Sequence, residues 1–127
     1  MKELGLTAGK KNVAPLEQVA PQGKTRLAQG FSIVIFPEGT RAAPGIRGTY
    51  QAGGALLATQ TGAPVLPVAH NAGNYWRRHA FVKYPGVVTV SIGPLVRSEG
   101  MKAADLMRAV EHWIENEMAR IRRDEAR

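Results

Sequence analysis

Apolar residues recur at steps of three and four near the end of the chain. Leu106, Met107, Val110, Trp113, Ile114, Met118 and Ile121 share one face of a helix predicted from about residue 102 to about 122. Packing against a core is the simplest use of such a stripe. Residues 15 to 29 form a second helical segment, with Leu16, Val19, Ala20, Leu27 and Ala28 as its apolar positions. Pro21 interrupts it. Proline has no N–H and its ring meets the carbonyl four residues back, so a kink or two short helices is predicted, with Gly30 as the cap. FSIVIF, residues 31 to 36, is β-branched and aromatic without charge, the pattern of a strand covered on both faces. PVLPVAH at 64 to 70 is a second such strand, where Pro67 marks an edge or a bulge. VVTVSI at 87 to 92 is a third. Between the first two strands lie a glycine- and proline-rich loop and a helix over 50 to 61. Gly53 and Gly54 in that helix permit close backbone approach, and Gly62 is its stop signal. Residues 1 to 12 show little periodicity and read as a loose start.

The order is helix, strand, helix, strand, strand, helix. It predicts an α/β fold, a mainly parallel sheet with flanking helices, arranged like the later part of a larger domain. Residues 1–127 read as one partial domain, without repeats or low-complexity segments.

Composition narrows the chemistry. At 44% hydrophobic and 21% charged residues, the 127-residue chain falls within globular usage, against disorder and against a disulfide scaffold. No apolar run approaches the ~18 residues of a membrane-spanning helix, and no signal-peptide core is present. The absence of cysteine removes a disulfide framework, a thiolate zinc site and a thiol nucleophile, and leaves the redox compartment open. No cluster of His, Asp and Glu has metal-ligand spacing, so no metal is expected. Lys and Arg number 17 against 10 Asp and Glu, a formal charge of +7. That surplus favours anionic partners: nucleic acid, anionic lipid or a phosphorylated small molecule. Some of it lies in Arg120, Arg122, Arg123 and Arg127, either a solvated helix end complementing the helix dipole or a binding surface. A second basic stretch is rich in aromatics: Tyr75, Trp76, Arg77, Arg78, His79, Phe81, Lys83 and Tyr84. It reads either as a membrane-interface segment or as a loop with its rings packed inward.

The sharpest chemical signal is Phe36-Pro37-Glu38-Gly39-Thr40-Arg41, at the end of the first of these strands. Ligands of open α/β sheets bind beyond the carboxyl ends of strands. Gly39 lets a ligand approach the main chain, Thr40 offers a hydroxyl, and Arg41 offers a planar fork for two phosphate oxygens. Glu38 can orient that fork or bind a substrate hydroxyl. The plainer alternative is a strand-ending turn closed by a Glu38–Arg41 ion pair. Gly23-Lys24-Thr25 lacks the earlier glycine and the preceding strand of a phosphate-binding P-loop. Gly45-Ile46-Arg47-Gly48 has the G-x-x-G form that clamps RNA backbone in KH domains, and with the basic charge it supports an RNA-binding module as the rival function. His70 ends the second of these strands, either directed at a site or satisfied at the core edge.

FPEGTR resembles the signature of the glycerolipid acyltransferase family, in particular its 1-acylglycerol-3-phosphate (lysophosphatidate) acyltransferases. The Gly-Gly-Ala helix and APVLPVAHNAG extend the likeness across roughly Leu16 to Ile114. The resemblance implies transfer of a fatty acyl group from acyl carrier protein or coenzyme A to lysophosphatidate in phospholipid biosynthesis. It implies an acyl thioester as cosubstrate and no further cofactor. It places the full-length enzyme on the cytoplasmic side, peripheral to or anchored at the membrane. An anionic membrane surface and acyl carrier protein become candidate partners, and nucleic acid is not expected. By resemblance Arg41 binds the glycerol phosphate while Glu38, Gly39 and Thr40 shape its site. The family's His-x-x-x-x-Asp base lies before FPEGTR, and the chain is expected to begin too late to contain it. Five residues after His70 and His79 stand Tyr75 and Tyr84, and five after His112 stands Glu117. Five helical residues turn through about 500°, which places His112 and Glu117 on different faces. Gln51 stands where the family commonly carries lysine. The expectation is a substrate-binding portion with no catalytic residues of its own, inactive alone.

Overall fold

The computed structural model of the chain describes residues 3–5, 16–37, 50–77 and 79–127. The order is β1 (Glu3–Gly5), α1 (Leu16–Ala28), β2 (Ser32–Val34), α2 (Gly53–Thr61), β3 (Val68–His70), a 3-10 turn (Ala72–Asn74), β4 (Val90–Ile92) and α3 (Ala103–Glu125).

α1 is one continuous helix across Pro21, not two. The proline forfeits only its own bond to the carbonyl of Glu17, near the start of the helix, and its carbonyl accepts the Thr25 hydroxyl at 3.0 Å. The other end closes as the sequence suggests. Gly30 turns left-handed (φ 86°), its N–H donates to Leu27 O, and the N–H of Phe31 reaches back to Arg26 O, both at 3.0 Å. Gly62, also left-handed (φ 71°), ends α2. The buried Ser98 hydroxyl lies 2.9 Å from Ala58 O in the last turn of α2 and 2.7 Å from Ala63 O just beyond it.

The sheet departs from expectation. The described residues form two two-stranded sheets, of which only β1–β2 is parallel. β3 and β4 are antiparallel, Val68 opposite Ile92 and His70 opposite Val90. The reason lies in the connection. A parallel pair needs a crossover, usually helical, and the segment after His70 makes only the 3-10 turn before it doubles back. β1 also falls within the segment read as a loose start. The irregularity lies opposite Pro67: Val65 bridges to Val96, so between that bridge and the Val68–Ile92 pair residues 66–67 face residues 93–95, and the extra residue is on the β4 side. Pro67, unable to donate, accepts from the N–H of Gly93 at 2.9 Å.

The first predicted strand is also shorter and barer than its composition suggests. Ser32, Val34, Ile35 and Phe36 are exposed, and Phe31 and Ile33 are half-buried. An uncharged β-branched run reports that it can be covered, not that it is. The outer face of the β3–β4 pair, with Leu66, Val68, Val90 and Ile92, is likewise exposed.

The core sits on the other side of that pair, against α3. Leu106 and Ile121 are buried on α3, with Val110, Trp113, Ile114 and Met118 half-buried along the predicted face. Ala69, Leu57, Ala58 and Tyr50 complete it. Two glycines set the spacing. A Cβ on Gly93 would stand 2.6 Å from Trp113 Cε2, and one on Gly54 would stand 2.9 Å from Ile35 Cδ1. Their absence lets the indole lie on the strand end and α2 lie on the chain leaving β2.

Candidate functional site

The predicted ligand-binding turn begins where β2 ends. Phe36 and Pro37 are placed; Glu38, Gly39, Thr40 and Arg41 lie outside the described residues, as does the Gly45–Gly48 loop. What the structure does fix is the pair of posts from which residues 38–49 hang. The N–H of Gln51 donates to the carbonyl of Pro37 at 2.7 Å, so the chain leaves and returns at one point. The departing post is the carboxyl end of a parallel strand. The returning post is Tyr50, buried, whose hydroxyl donates to Glu115 Oε1 on α3 at 2.8 Å. Three residues beyond Tyr50, α2 begins at Gly53. Its N-cap, Ala52, makes no side-chain cap bond and no acidic residue occupies the first turn. The first N–H groups of a helix, with the positive end of its dipole, favour an anion. Both posts and this helix start therefore converge on the ends of the segment that carries Arg41.

Two of the histidines have local partners. His70 is exposed, not held at the core edge; its Nδ1 accepts the N–H of Ala72 at 3.2 Å and helps turn the chain out of β3. His112 Nε2 lies 3.1 Å from Asn116 Nδ2. Glu117, five residues beyond it, instead accepts from Ser91 Oγ at 2.6 Å and from Arg120 Nη2 at 2.9 Å. Gly23, Lys24 and Thr25 lie inside α1, where Gly23 fits against Leu57, so no phosphate loop exists there. Among the described residues no group of His, Asp and Glu could hold a metal ion.

The Arg120 hydrogen bond, followed by that from Ser91, holds the Glu117 carboxyl below the usual glutamate range. A carboxylate whose folded-state pKa is depressed adds stability that is complete above the unfolded value and is lost as pH falls through the folded one. Ser91→Ala is expected to move the Glu117 midpoint upward but not fully back to the ordinary value, because Arg120 remains. Carboxyl-carbon NMR titration reads this directly; an unchanged midpoint would show that the serine contributes nothing.

Three placements were not legible beforehand: Tyr50 on Glu115, Ser98 beneath the end of α2, and Glu125. Glu125 Oε1 accepts from Asn71 Nδ2 at 2.6 Å, and its Oε2 accepts from Asn74 Nδ2 at 2.9 Å. Tyr75 Oη lies 3.4 Å from the same carboxylate. The only sequence hint was a glutamate, Glu115, placed beside the apolar face of α3.

The Acyltransferase family model matches residues 3–71, which include β1, α1, β2, α2 and β3. A 1-acyl-sn-glycerol-3-phosphate acyltransferase of Pseudomonas aeruginosa is 45% identical over 109 residues, 84% of this chain and 42% of its own length. The human 1-acyl-sn-glycerol-3-phosphate acyltransferase beta is 27% identical over 94 residues, 73% of this chain and 34% of its own. The crystal structure of the 1-acyl-sn-glycerophosphate (LPA) acyltransferase PlsC from Thermotoga maritima superposes with a TM-score of 0.76 at 25% identity, covering 81% of this chain and 44% of that one. The chain thus spans less than half the length of these relatives. The RNA-binding alternative finds no support in these likenesses. Matched over more than half of its residues by the family model, the chain belongs to the acyltransferase family.

Proposed function

We propose that this chain forms the glycerol-phosphate-binding part of a lysophosphatidate acyltransferase, an enzyme that moves a fatty acyl group from acyl carrier protein or coenzyme A to 1-acylglycerol-3-phosphate. The observation that carries the reading is FPEGTR at residues 36–41, sprung from the carboxyl end of β2 and closed by the Gln51–Pro37 bond beside the start of α2. The relatives' names supply the substrate class. In the reaction the free hydroxyl oxygen attacks the thioester carbonyl carbon. A C–O bond forms, the C–S bond breaks, the hydroxyl proton goes to a base and the thiol departs. Arg41 holds the phosphate with its two-pronged fork, while Glu38, Gly39 and Thr40 shape the turn around it.

The base is not supplied by His70, His79 or His112, none of which has an aspartate five residues on. The chain alone therefore binds substrate without turning it over, and the substrate, being a lipid, places the working enzyme at a membrane surface. The test is calorimetric titration with a short-chain lysophosphatidate and with the matching monoacylglycerol, alongside an acyl-transfer assay from acyl-coenzyme A. Phosphate-dependent binding without turnover is the expected result. Equal affinity for both lipids would overturn the binding role; turnover by the chain would overturn its inactivity, and turnover lost on replacing the three histidines would overturn the argument about the base.

A further inference from the structure

Of the aromatic side chains in the aromatic-basic segment, Tyr75 is half-buried and the others do not pack inward. Phe81 is fully exposed, Trp76 is 64% exposed, and Val82 and Tyr84 are more than half exposed. Yet the segment is closed and braced. The N–H of Tyr84 donates to Tyr75 O at 3.0 Å, joining the two ends. Lys83 Nζ donates to Ala80 O at 3.0 Å and sits 5.9 Å from the Trp76 ring centroid, tying one side of the loop to the other. His79 takes the left-handed conformation (φ 57°) at the turn. At its base, Asn71, Asn74 and Tyr75 all meet Glu125 in the last turn of α3. That same end of α3 carries Arg122 and Arg123, with Arg127 just beyond it, exposed and without an ion pair to any described residue, whereas Arg120 is engaged by Glu117 and Asp124.

We propose that the Tyr75–Tyr84 loop and the carboxyl end of α3 form one docking surface for an anionic lipid bilayer. Phe81 and Trp76 enter the headgroup region, and Arg77, Lys83, Arg122 and Arg123 lie against the lipid charges. Two properties select this occupant. Indole, phenol and phenyl rings beside cations suit an interface that is apolar on one side and negatively charged on the other. The outer face of the β3–β4 pair is equally bare, but Leu66, Val68, Val90 and Ile92 bring neither aromatic rings nor cations and are not part of the surface. The proposal rests on the lipid substrate suggested above, but its readout is independent of substrate binding and of turnover.

The test is co-sedimentation of the chain with vesicles of phosphatidylcholine alone and of phosphatidylcholine mixed with phosphatidylglycerol. Binding to the mixed vesicles only, reversed by salt, is expected. Phe81→Asp should weaken it about tenfold or more. Leu95→Asp removes another exposed apolar side chain, at the opposite end of the β3–β4 pair, and should leave binding unchanged. Arg122→Glu with Arg123→Glu should reduce both affinity and its salt dependence. Failure to sediment with anionic vesicles, or equal loss in the Leu95 and Phe81 variants, overturns the proposal. Self-association that Phe81→Asp abolishes would assign the loop to a second copy of the chain and overturn it as well. Loss of short-chain lysophosphatidate binding with vesicle binding intact would strike the functional reading and leave this surface standing.

Discussion

Arg41→Ala is expected to weaken binding of a short-chain lysophosphatidate by about a hundredfold and to leave affinity for the matching monoacylglycerol unchanged. The size follows from the chemistry of the contact. A hydrogen bond to a charged group contributes about 1.5–3 kcal/mol, and a guanidinium can place two parallel N–H bonds on one phosphate. About 2.7 kcal/mol corresponds to a factor of a hundred in Kd. Arg41→Lys should fall between the two, since it keeps the charge and loses the planar fork. Thr40→Ala removes one neutral hydroxyl and should cost less than either change at Arg41. Calorimetry on the four proteins orders these effects. If the alanine variant binds lysophosphatidate as well as the parent does, Arg41 is not the phosphate ligand. The competing picture, a turn closed by a Glu38–Arg41 ion pair, makes a different forecast. There, Glu38→Ala and Arg41→Ala would lower thermal stability alike and leave the preference for phosphate intact.

The sequence exposed those features whose cause is local. Gly30 and Gly62 were readable as helix ends because a left-handed residue is cheapest as glycine, and both adopt that conformation. The apolar face of α3 was readable because a period near 3.6 survives without knowledge of what it meets. FPEGTR stood out because its candidate chemistry lies in consecutive residues, of which 38–41 lie outside the described residues. Strand direction was not. Whether β3 and β4 run parallel depends on what the chain does between His70 and Val90, and aromatic and basic residues there gave no period from which to tell. Burial of residues 31 to 36 was overread for a related reason: composition states what a strand tolerates on each face, and Phe36 stands 59% exposed. The polar anchors were the least visible. Glu125 serves Asn71, Asn74 and Tyr75, and Ser98 serves Ala58 and Ala63, all across long stretches of chain. Serine and glutamate are common enough that only their surroundings distinguish an anchor from a solvated side chain.

Leu106→Ala should produce the largest loss of stability of any single truncation in this chain, about 2–5 kcal/mol. Leu106 has no exposed surface, and few large side chains share its core. Small domains are stable by only about 5–15 kcal/mol, so this loss is a large share of the total. Leu106→Met preserves most of the volume and should cost less than about 1.5 kcal/mol. The consequence reaches the candidate site through α3. That helix packs on α2 and β3, and its carboxylates hold Tyr50, Ser91 and the base of the Tyr75–Tyr84 loop. When α3 detaches, Tyr50 loses its Glu115 partner, one of the contacts that hold the returning post of residues 38–49. Two measurements separate stability from a direct role in binding. The urea midpoint should drop sharply in the alanine variant and little in the methionine variant. Under conditions where the alanine variant remains fully folded, its lysophosphatidate affinity should equal that of the parent. A large affinity loss in the folded variant would mean that α3 shapes the binding loop itself, beyond supporting it. A midpoint that barely moves would mean that the α3 interface closes around the missing side chain, and that Leu106 is not the keystone its burial indicates.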